Sequence, residues 1–198
     1  MPSDLSLFLR QLIRRPQQVV ALSPSSADLA RAMTAELSPT TGRVAELGAG
    51  TGTFTRAILE RGIERADLTL FELNPDFCDH LRRRFPGVTV LNQSAETLAS
   101  ACAPGLGAVI SGLPMLSMPN AVQLAILQDA FDRLRSGGNF VQFTYGPRPP
   151  VAQEVQHALG LIFRRGDKVW GNLPPARIYW FSRKSPVFAK AHLTSAKQ

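Results

Sequence analysis

The sequence has only two cysteines, Cys78 and Cys102, too few and too irregularly placed for a disulfide framework or a zinc site. They read as reduced thiols of a cytoplasmic protein. No apolar run approaches the roughly 20 residues needed to cross a bilayer. No signal peptide is expected, because Arg10, Arg14 and Arg15 follow the first apolar residues and no small-residue cleavage site is evident. Acids are scarce, 15 against 22 Lys and Arg, for a net charge of +7 and a pI near 10.2. That balance suits a polyanionic partner, either nucleic acid or an anionic membrane surface. His80, His157 and His192 fall in expected helices or the tail, away from strand ends, and read as surface residues. Repeats, low-complexity tracts and long linkers are absent. What is present, 44% hydrophobic and 19% charged residues over 198 positions, is the composition of one globular domain with a substantial core.

The chain turns on Val44-Ala45-Glu46-Leu47-Gly48-Ala49-Gly50-Thr51-Gly52-Thr53-Phe54. An apolar strand runs into three glycines spaced by two, and a helix follows. Gly48, Gly50 and Gly52 let the backbone turn tightly and approach a ligand closely. The amides that open the next helix face that ligand. The spacing is G-x-G-x-G, not the G-x-G-x-x-G of dinucleotide folds. With Glu46 before the first glycine, it resembles the S-adenosylmethionine (SAM) loop of class I methyltransferases. A second acid, Glu72, closes the next apolar strand, Leu68–Phe71, roughly 20 residues after the last glycine, where an acid suits ribose hydroxyls. Glu46, Gly48, Gly50, Thr51, Gly52, Thr53, Glu72 and its neighbour Leu73 are the expected cofactor residues.

Strand and helix alternate along the core. Strands are expected near 43–47, 68–71, 88–91, 108–111 and 140–144, and helices near 54–61, 75–85, 95–101 and 121–134. Gly137-Gly138 is expected to make a tight turn before the fifth strand. After the Pro-rich stretch 147–150 comes a helix near 151–159. Two β-rich runs, 162–170 and 176–182, follow and form a closing hairpin. This rhythm predicts an α/β, Rossmann-like fold: a seven-stranded, mostly parallel sheet ending in a β-hairpin.

Ahead of the sheet, Met1–Arg15 reads as an amphipathic helix closed by Pro16. Leu5, Phe8, Leu9, Leu12 and Ile13 share one arc, and Arg10, Arg14 and Arg15 lie outside it. Leu7 breaks the pattern. The helix either lies on a membrane or packs on protein; the pattern alone allows both. The expected division is thus 1–16 as this helix and 17–198 as the catalytic domain. Pro24-Ser25-Ser26 opens another helix, 27–36, either a lid that brings Ser26 to the site or a packing helix with a serine N-cap.

Two strand ends carry candidate chemistry. Asn92-Gln93-Ser94-Ala95 follows the third strand, where Ser94 and the Ala95 amide either meet the adenine or cap the next helix. Ser111-Gly112-Leu113-Pro114-Met115 follows the fourth. Adenine methyltransferases place an amide or acid, then proline, then an aromatic there, to read a flipped base. No amide, acid or aromatic ring stands at these positions. The apolar Leu and Met character suits an acyl chain better.

At these residues the sequence resembles the short, soluble, Rossmann-type bacterial phospholipid N-methyltransferases. The resemblance rests on Glu46–Phe54, Phe71–Phe77, Ser111–Pro114, Phe140–Gly146 and Asn172–Ala176, in order over most of the chain. Ser-Gly-Leu-Pro and Gln-Phe-Thr-Tyr-Gly are its more specific parts. It implies stepwise methylation of phosphatidylethanolamine towards phosphatidylcholine, with SAM as cofactor and S-adenosylhomocysteine as product. It also implies a peripheral position on the inner face of the bacterial cell membrane, held by Met1–Arg15 on anionic lipid.

Such chemistry needs an amine held in line with a sulfonium methyl in a dry site. Tyr145, past the fifth strand, is placed to orient the amine or help take its proton, and Ser111 is a second amine contact. Leu113 and Pro114 would line the acceptor pocket, and Arg177 or Tyr179 would hold the lipid phosphate. Each has a structural alternative: strand capping for Tyr145, packing for Tyr179, a solvated charge for Arg177. The competing activities are ornithine-lipid N-methylation and rRNA adenine N6-methylation; a non-catalytic binding module is the third class. The residues at the end of the fourth strand argue against nucleic acid, and no metal or obligate protein partner is expected.

Overall fold

Residues 24–172 and 174–183 of the protein are described by a computed structural model. The expected helix at Met1–Arg15, with Leu5, Phe8, Leu9, Arg10, Leu12, Ile13, Arg14 and Arg15, lies outside them. The elements in order are α1 (Pro24–Met33), β1 (Val44–Leu47), α2 (Thr53–Glu60), β2 (Leu68–Phe71), α3 (Pro75–Arg84), β3 (Thr89–Leu91), α4 (Leu98–Ala101), β4 (Leu106–Ser111), α5 (Asn120–Arg133), β5 (Leu134–Thr144), α6 (Gln153–Ala158), β6 (Leu161–Val169) and β7 (Ala176–Arg183). No described helix is long and apolar enough to cross a membrane.

The seven strands form one sheet in the order β3-β2-β1-β4-β5-β7-β6, with β1–β5 parallel and β7 antiparallel to both neighbours. This is the expected α/β Rossmann-like sheet with a terminal hairpin. The order reverses between β1 and β4, which opens a crevice at the carboxyl ends of those strands. β1 and β4 are buried along their whole length, as strands covered on both faces must be.

Alternation divides the sheet into two faces. Val44, Leu70, Ile110, Val141 and Ile178 pack with Leu29, Met33 and Ile58 of α1 and α2 and Leu81 of α3. Leu47, Phe71, Val109, Phe140 and Phe181 pack with Leu98, Leu127 and Val155 of α4, α5 and α6. Each fully buried Leu or Phe contributes about 2–3 kcal/mol by leaving water, so these two layers hold the sheet and its crevice in place.

The structure differs from expectation at three elements. Gly137-Gly138 is not a turn before β5 but an irregularity inside it. Pairing jumps from Leu106↔Leu134 to Ala108↔Asn139, and Gly137 takes φ 78° to absorb the extra residues. The segment 95–101 splits into a 3-10 turn, Ala95–Thr97, and the short α4. Helix α1 begins at Pro24, so Pro24-Ser25-Ser26 is its first turn, not a cap preceding it. It buries Leu29, Ala30 and Met33 against α2 and the sheet, which is the packing-helix alternative. The Ser26 side chain, expected at the acceptor site, lies outside the described ones.

Candidate active site

The loop from β1 to α2 sits at the crevice. Gly48, Gly50 and Gly52 have φ of 73°, 53° and 83°, left-handed values that only glycine takes without strain. Around Gly50 nothing lies within 4 Å of where a Cβ would stand, so the loop leaves open space for a ligand. At Gly52 the reason is packing: a Cβ would press on the Phe85 ring beneath the loop. At Gly48 a Cβ would stand 2.9 Å from Leu113 Cδ2, because the loop after β4 crosses directly over it. Gly112 donates its N–H to Leu47 O at 2.8 Å and sits against Gly48 O. Gly48 and the Gly112-Leu113 step are thus two halves of one close crossing. Thr51 and Thr53 flank Gly52, half-buried, at the start of α2.

Two acids hold opposite ends of this loop. Glu46 is fully buried, and its Oε2 accepts the Thr55 hydroxyl at 2.7 Å. Its Oε1 has no partner. Burial pushes its carboxyl from the usual 4.5 up to about 8, with the Thr55 hydrogen bonds opposing and the nearby Glu72 charge adding to the rise. Glu72, at the end of β2, accepts the Gly50 amide at 2.8 Å through Oε2 and the Asn74 amide at 2.8 Å through Oε1. A carboxylate offers about four lone-pair sites, so two are left for a ribose.

Beside Glu72 a groove of about 230 Å³ runs between Phe71, Leu73, Ser94, Ala95, Leu113 and Met118. Ser94 and Ala95 therefore stand where an adenine contact was expected. The Ser94 side chain also accepts from the Glu96 amide at 3.3 Å, so the capping alternative holds as well. Leu73 forms the outer lip, 69% exposed. Asn92 carries a role that was not assigned from sequence. Its amide donates to the carbonyls of Glu72 and Leu73 at 3.0 and 2.8 Å and braces the strand end that aims Glu72.

These residues fit SAM. That cofactor is cationic at its ammonium and sulfonium, and a buried carboxylate oxygen without a partner beside an open glycine loop suits an ammonium. The Glu72 end and the groove suit the nucleoside.

The acceptor side is organised around the ends of β4 and β5. Phe54, in the first turn of α2, meets Phe143 edge-on at 6.0 Å between centroids, and Phe143 meets Tyr145 at 5.3 Å. This ladder carries Tyr145 from the end of β5 to the cofactor loop. Burial raises the Tyr145 phenol above its usual value, opposed by a hydrogen bond with the Asn172 side chain. The phenol therefore stays protonated near neutral pH. It can orient an amine, but the expected help in taking a proton does not suit it. Asn172 is buried in the β6–β7 turn and also donates to Pro174 O at 2.8 Å. It was part of a recognised stretch without a role; its polar side chain inside a Gly-Pro turn was the available signal.

Two expected acceptor contacts are corrected. Ser111 is fully buried, and its hydroxyl accepts the Leu113 amide at 3.3 Å, so it holds the turn instead of facing an amine. Tyr179 is 1% exposed and packs among Phe163 and Phe181 on the α5–α6 face, where no phosphate can reach it. Arg177 is half-buried, paired in register with Thr144 and Lys168 at the crevice end of the sheet, and available to an anion. Leu113 and Pro114 lie half-buried at the crossing. Met115, expected in the apolar rim, is instead core at 1% exposure; Leu116 takes the rim position.

Gln142 was missed as a single residue. It is buried in register with Ser111; its Nε2 donates to Leu113 O at 2.9 Å, and its Oε1 has no partner. It fastens the loop after β4 and leaves one acceptor atom unused beside it.

Comparison with known proteins points to the same fold and cofactor class. A profile described as a methyltransferase domain matches residues 44–138. The ornithine lipid N-methyltransferase of Singulisphaera acidiphila is 30% identical over 191 residues, covering 89% of this chain and 95% of that protein. Among solved structures, the TehB-like SAM-dependent methyltransferase of Corynebacterium glutamicum superposes with a TM-score of 0.61 at 14% identity, over 93% of this chain and 100% of that one. The 1,6-didemethyltoxoflavin-N1-methyltransferase of Burkholderia thailandensis, with bound 1,6-didemethyltoxoflavin and S-adenosylhomocysteine, gives 0.65 at 17% identity, over 90% and 87%.

Proposed function

The chain belongs to the SAM-dependent methyltransferases, and from that premise we propose that it methylates the primary amine of a membrane-lipid headgroup. The end-to-end likeness to an ornithine lipid N-methyltransferase carries this reading. It favours ornithine lipid as first acceptor. Phosphatidylethanolamine is the second reading, supported by the Ser-Gly-Leu-Pro and Gln-Phe-Thr-Tyr-Gly stretches. Both lipids present a primary amine beside an anion, a carboxylate in one and a phosphodiester in the other. The end of β4 offers no amide, acid or aromatic ring for a flipped base, which supports lipid over RNA.

When bound, SAM supplies an electrophilic methyl. Glu72, braced by Asn92, and the glycine loop would hold the nucleoside, and Glu46 would hold the amino end. Tyr145 accepts an amine N–H and fixes the lone pair towards the methyl; orientation of this kind can supply several kcal/mol. Arg177 holds the anion beside the amine. Leu113 and Leu116 exclude water. The amine proton leaves to solvent, since Tyr145 is kept protonated by burial. The reaction takes place at the inner face of the cell membrane, with Met1–Arg15 lying on anionic lipid.

The test is a parallel incubation of labelled SAM with ornithine lipid, phosphatidylethanolamine and rRNA. Label is expected in lipid, more in ornithine lipid than in phosphatidylethanolamine. Label in RNA alone overturns the reading. Deleting residues 1–15 is expected to reduce co-sedimentation with anionic vesicles; binding that survives the deletion unchanged removes the N-terminal anchor.

A further inference from the structure

The carboxyl ends of β1–β5, which hold the site, share one end of the molecule with the β6–β7 turn, because β7 runs antiparallel to β5. Trp170 stands on that turn, 72% exposed. Leu73 and Leu116, two further large apolar side chains left in solvent, stand on the β2–α3 and β4–α5 loops at the same end. Lys168 holds its ammonium 5.0 Å from the Trp170 ring centroid. Arg148, in the loop after β5, is exposed, and Arg177 lies in register with Lys168. The acids at this end are Asp167, exposed on β6, Asp28, which pairs with Arg31, and, on the far side beside Leu73, Glu72, Asp76 and Glu96.

We propose that the β6–β7 turn, through Trp170 and Lys168, is a docking element that seats the mouth of the site on an anionic bilayer. The proposal rests on the lipid-acceptor reading above. An indole with an apolar body and a polar N–H settles at the headgroup boundary, and a neighbouring ammonium meets anionic headgroups there. Two observations favour a bilayer over another occupant. Trp170, Leu73 and Leu116 stand exposed on loops at the end of the sheet that holds the site, and Lys168, Arg148 and Arg177 lie at that end on the β5–β7–β6 side. The Asp28 side chain in α1 lies against Gly171 of the turn, so the chain enters the described body at Pro24 close to Trp170. The described chain therefore begins, at Pro24, at the same end of the sheet as the β6–β7 turn. Two contacts with one surface fix an orientation that one helix leaves free.

The protein has two tryptophans, so Trp180→Phe leaves Trp170 as the only indole. Its emission is recorded with phosphatidylcholine vesicles, with and without phosphatidylglycerol, and with lipids spin-labelled near the headgroup or deep in the chain. A blue shift on phosphatidylglycerol vesicles is expected, with stronger quenching by the shallow label. Emission unchanged by vesicles that pellet the protein overturns the proposal, and so does a protein that pellets with neither. A blue shift that grows with protein concentration without vesicles assigns the turn to a second copy and also overturns it. In the otherwise unaltered chain, Trp170→Ala and Lys168→Glu are expected to weaken co-sedimentation several-fold with SAM affinity unchanged; wild-type co-sedimentation of both variants overturns the proposal without depending on Trp180. Methylation of lipid in detergent micelles separates the two readings. Quenching without lipid methylation sinks the acceptor reading alone, and methylation without quenching sinks the docking turn alone.

Discussion

Glu72 Oε2 accepts the Gly50 amide at 2.8 Å, so the acid expected to hold a ribose also clamps the middle of the glycine loop. Its other oxygen holds the Asn74 amide at 2.8 Å, at the start of α3. Loop shape and the expected cofactor contact thus fall on one carboxylate.

Glu72→Ala removes a charge-assisted hydrogen bond and the ribose contact together. A loss of about 1.5–3 kcal/mol is expected, a roughly ten- to hundredfold weaker SAM affinity by calorimetry. Glu72→Gln keeps one acceptor and should fall between. Unchanged affinity in Glu72→Ala rules out the assignment.

Glu46 makes the ligand-free protein sensitive to pH. Its carboxyl titrates near 4.5 when unfolded and near 8 when folded. Below pH 4.5 both states hold the proton. Between the two values the unfolded chain has released a proton that the folded chain keeps, so stability falls as pH rises through this window and levels off above about 8. Urea unfolding across that range should display the decline, and Glu46→Gln should flatten it. A bound cation favours the carboxylate, so SAM binding near pH 7 should release protons. Binding heats identical in buffers of different ionisation enthalpy would count against Glu46 as the ammonium partner.

Tyr145→Phe keeps the ring ladder and removes the oxygen. The turnover number is expected to drop about tenfold with SAM affinity intact, less than the 10²–10⁴-fold usual for losing a proton-transfer group. The pH–rate profile of the variant should keep its shape. Loss of a limb on which the rate rises with pH would instead make Tyr145 the proton acceptor. Asn172→Ala should reproduce part of the loss by freeing the phenol.

Gln142→Leu leaves Leu113 O without its donor. Unfolding free energy should fall by about 1–3 kcal/mol, and the KM for lipid should rise as the loop after β4 loosens. Stability lost with lipid kinetics unchanged confines Gln142 to the scaffold.

Arg177→Ala is expected to raise the lipid KM severalfold at unchanged SAM affinity, whereas Tyr179→Phe should leave the KM alone. The reverse pattern would return the anion contact to Tyr179.

Much of this was legible before any coordinates. Three glycines spaced by two after an apolar strand required a tight loop, because only glycine takes those φ values freely, and the acid closing the next strand marked the expected ribose partner. The alternation of short apolar runs with amphipathic segments determined a parallel sheet, and two late β-rich runs around a Pro-Pro turn determined the hairpin. These are local signals, carried by neighbours in sequence. Tertiary structure decided what local signals leave open. Ser111 and Tyr179 share a face only because β4, β5 and β7 pair in that register through Gln142, and the layer of α5 and α6 covers that face. A carboxylate at position 46 reads as a ligand contact; its full burial and raised titration come from α2 closing over β1. Gln142 and Asn172 look like ordinary polar residues until β5 meets Leu113 and the hairpin turn meets Tyr145, at separations no periodicity spans. The glycine loop was written in the chain, and the acceptor side was assembled by contacts between segments that meet only when the sheet closes.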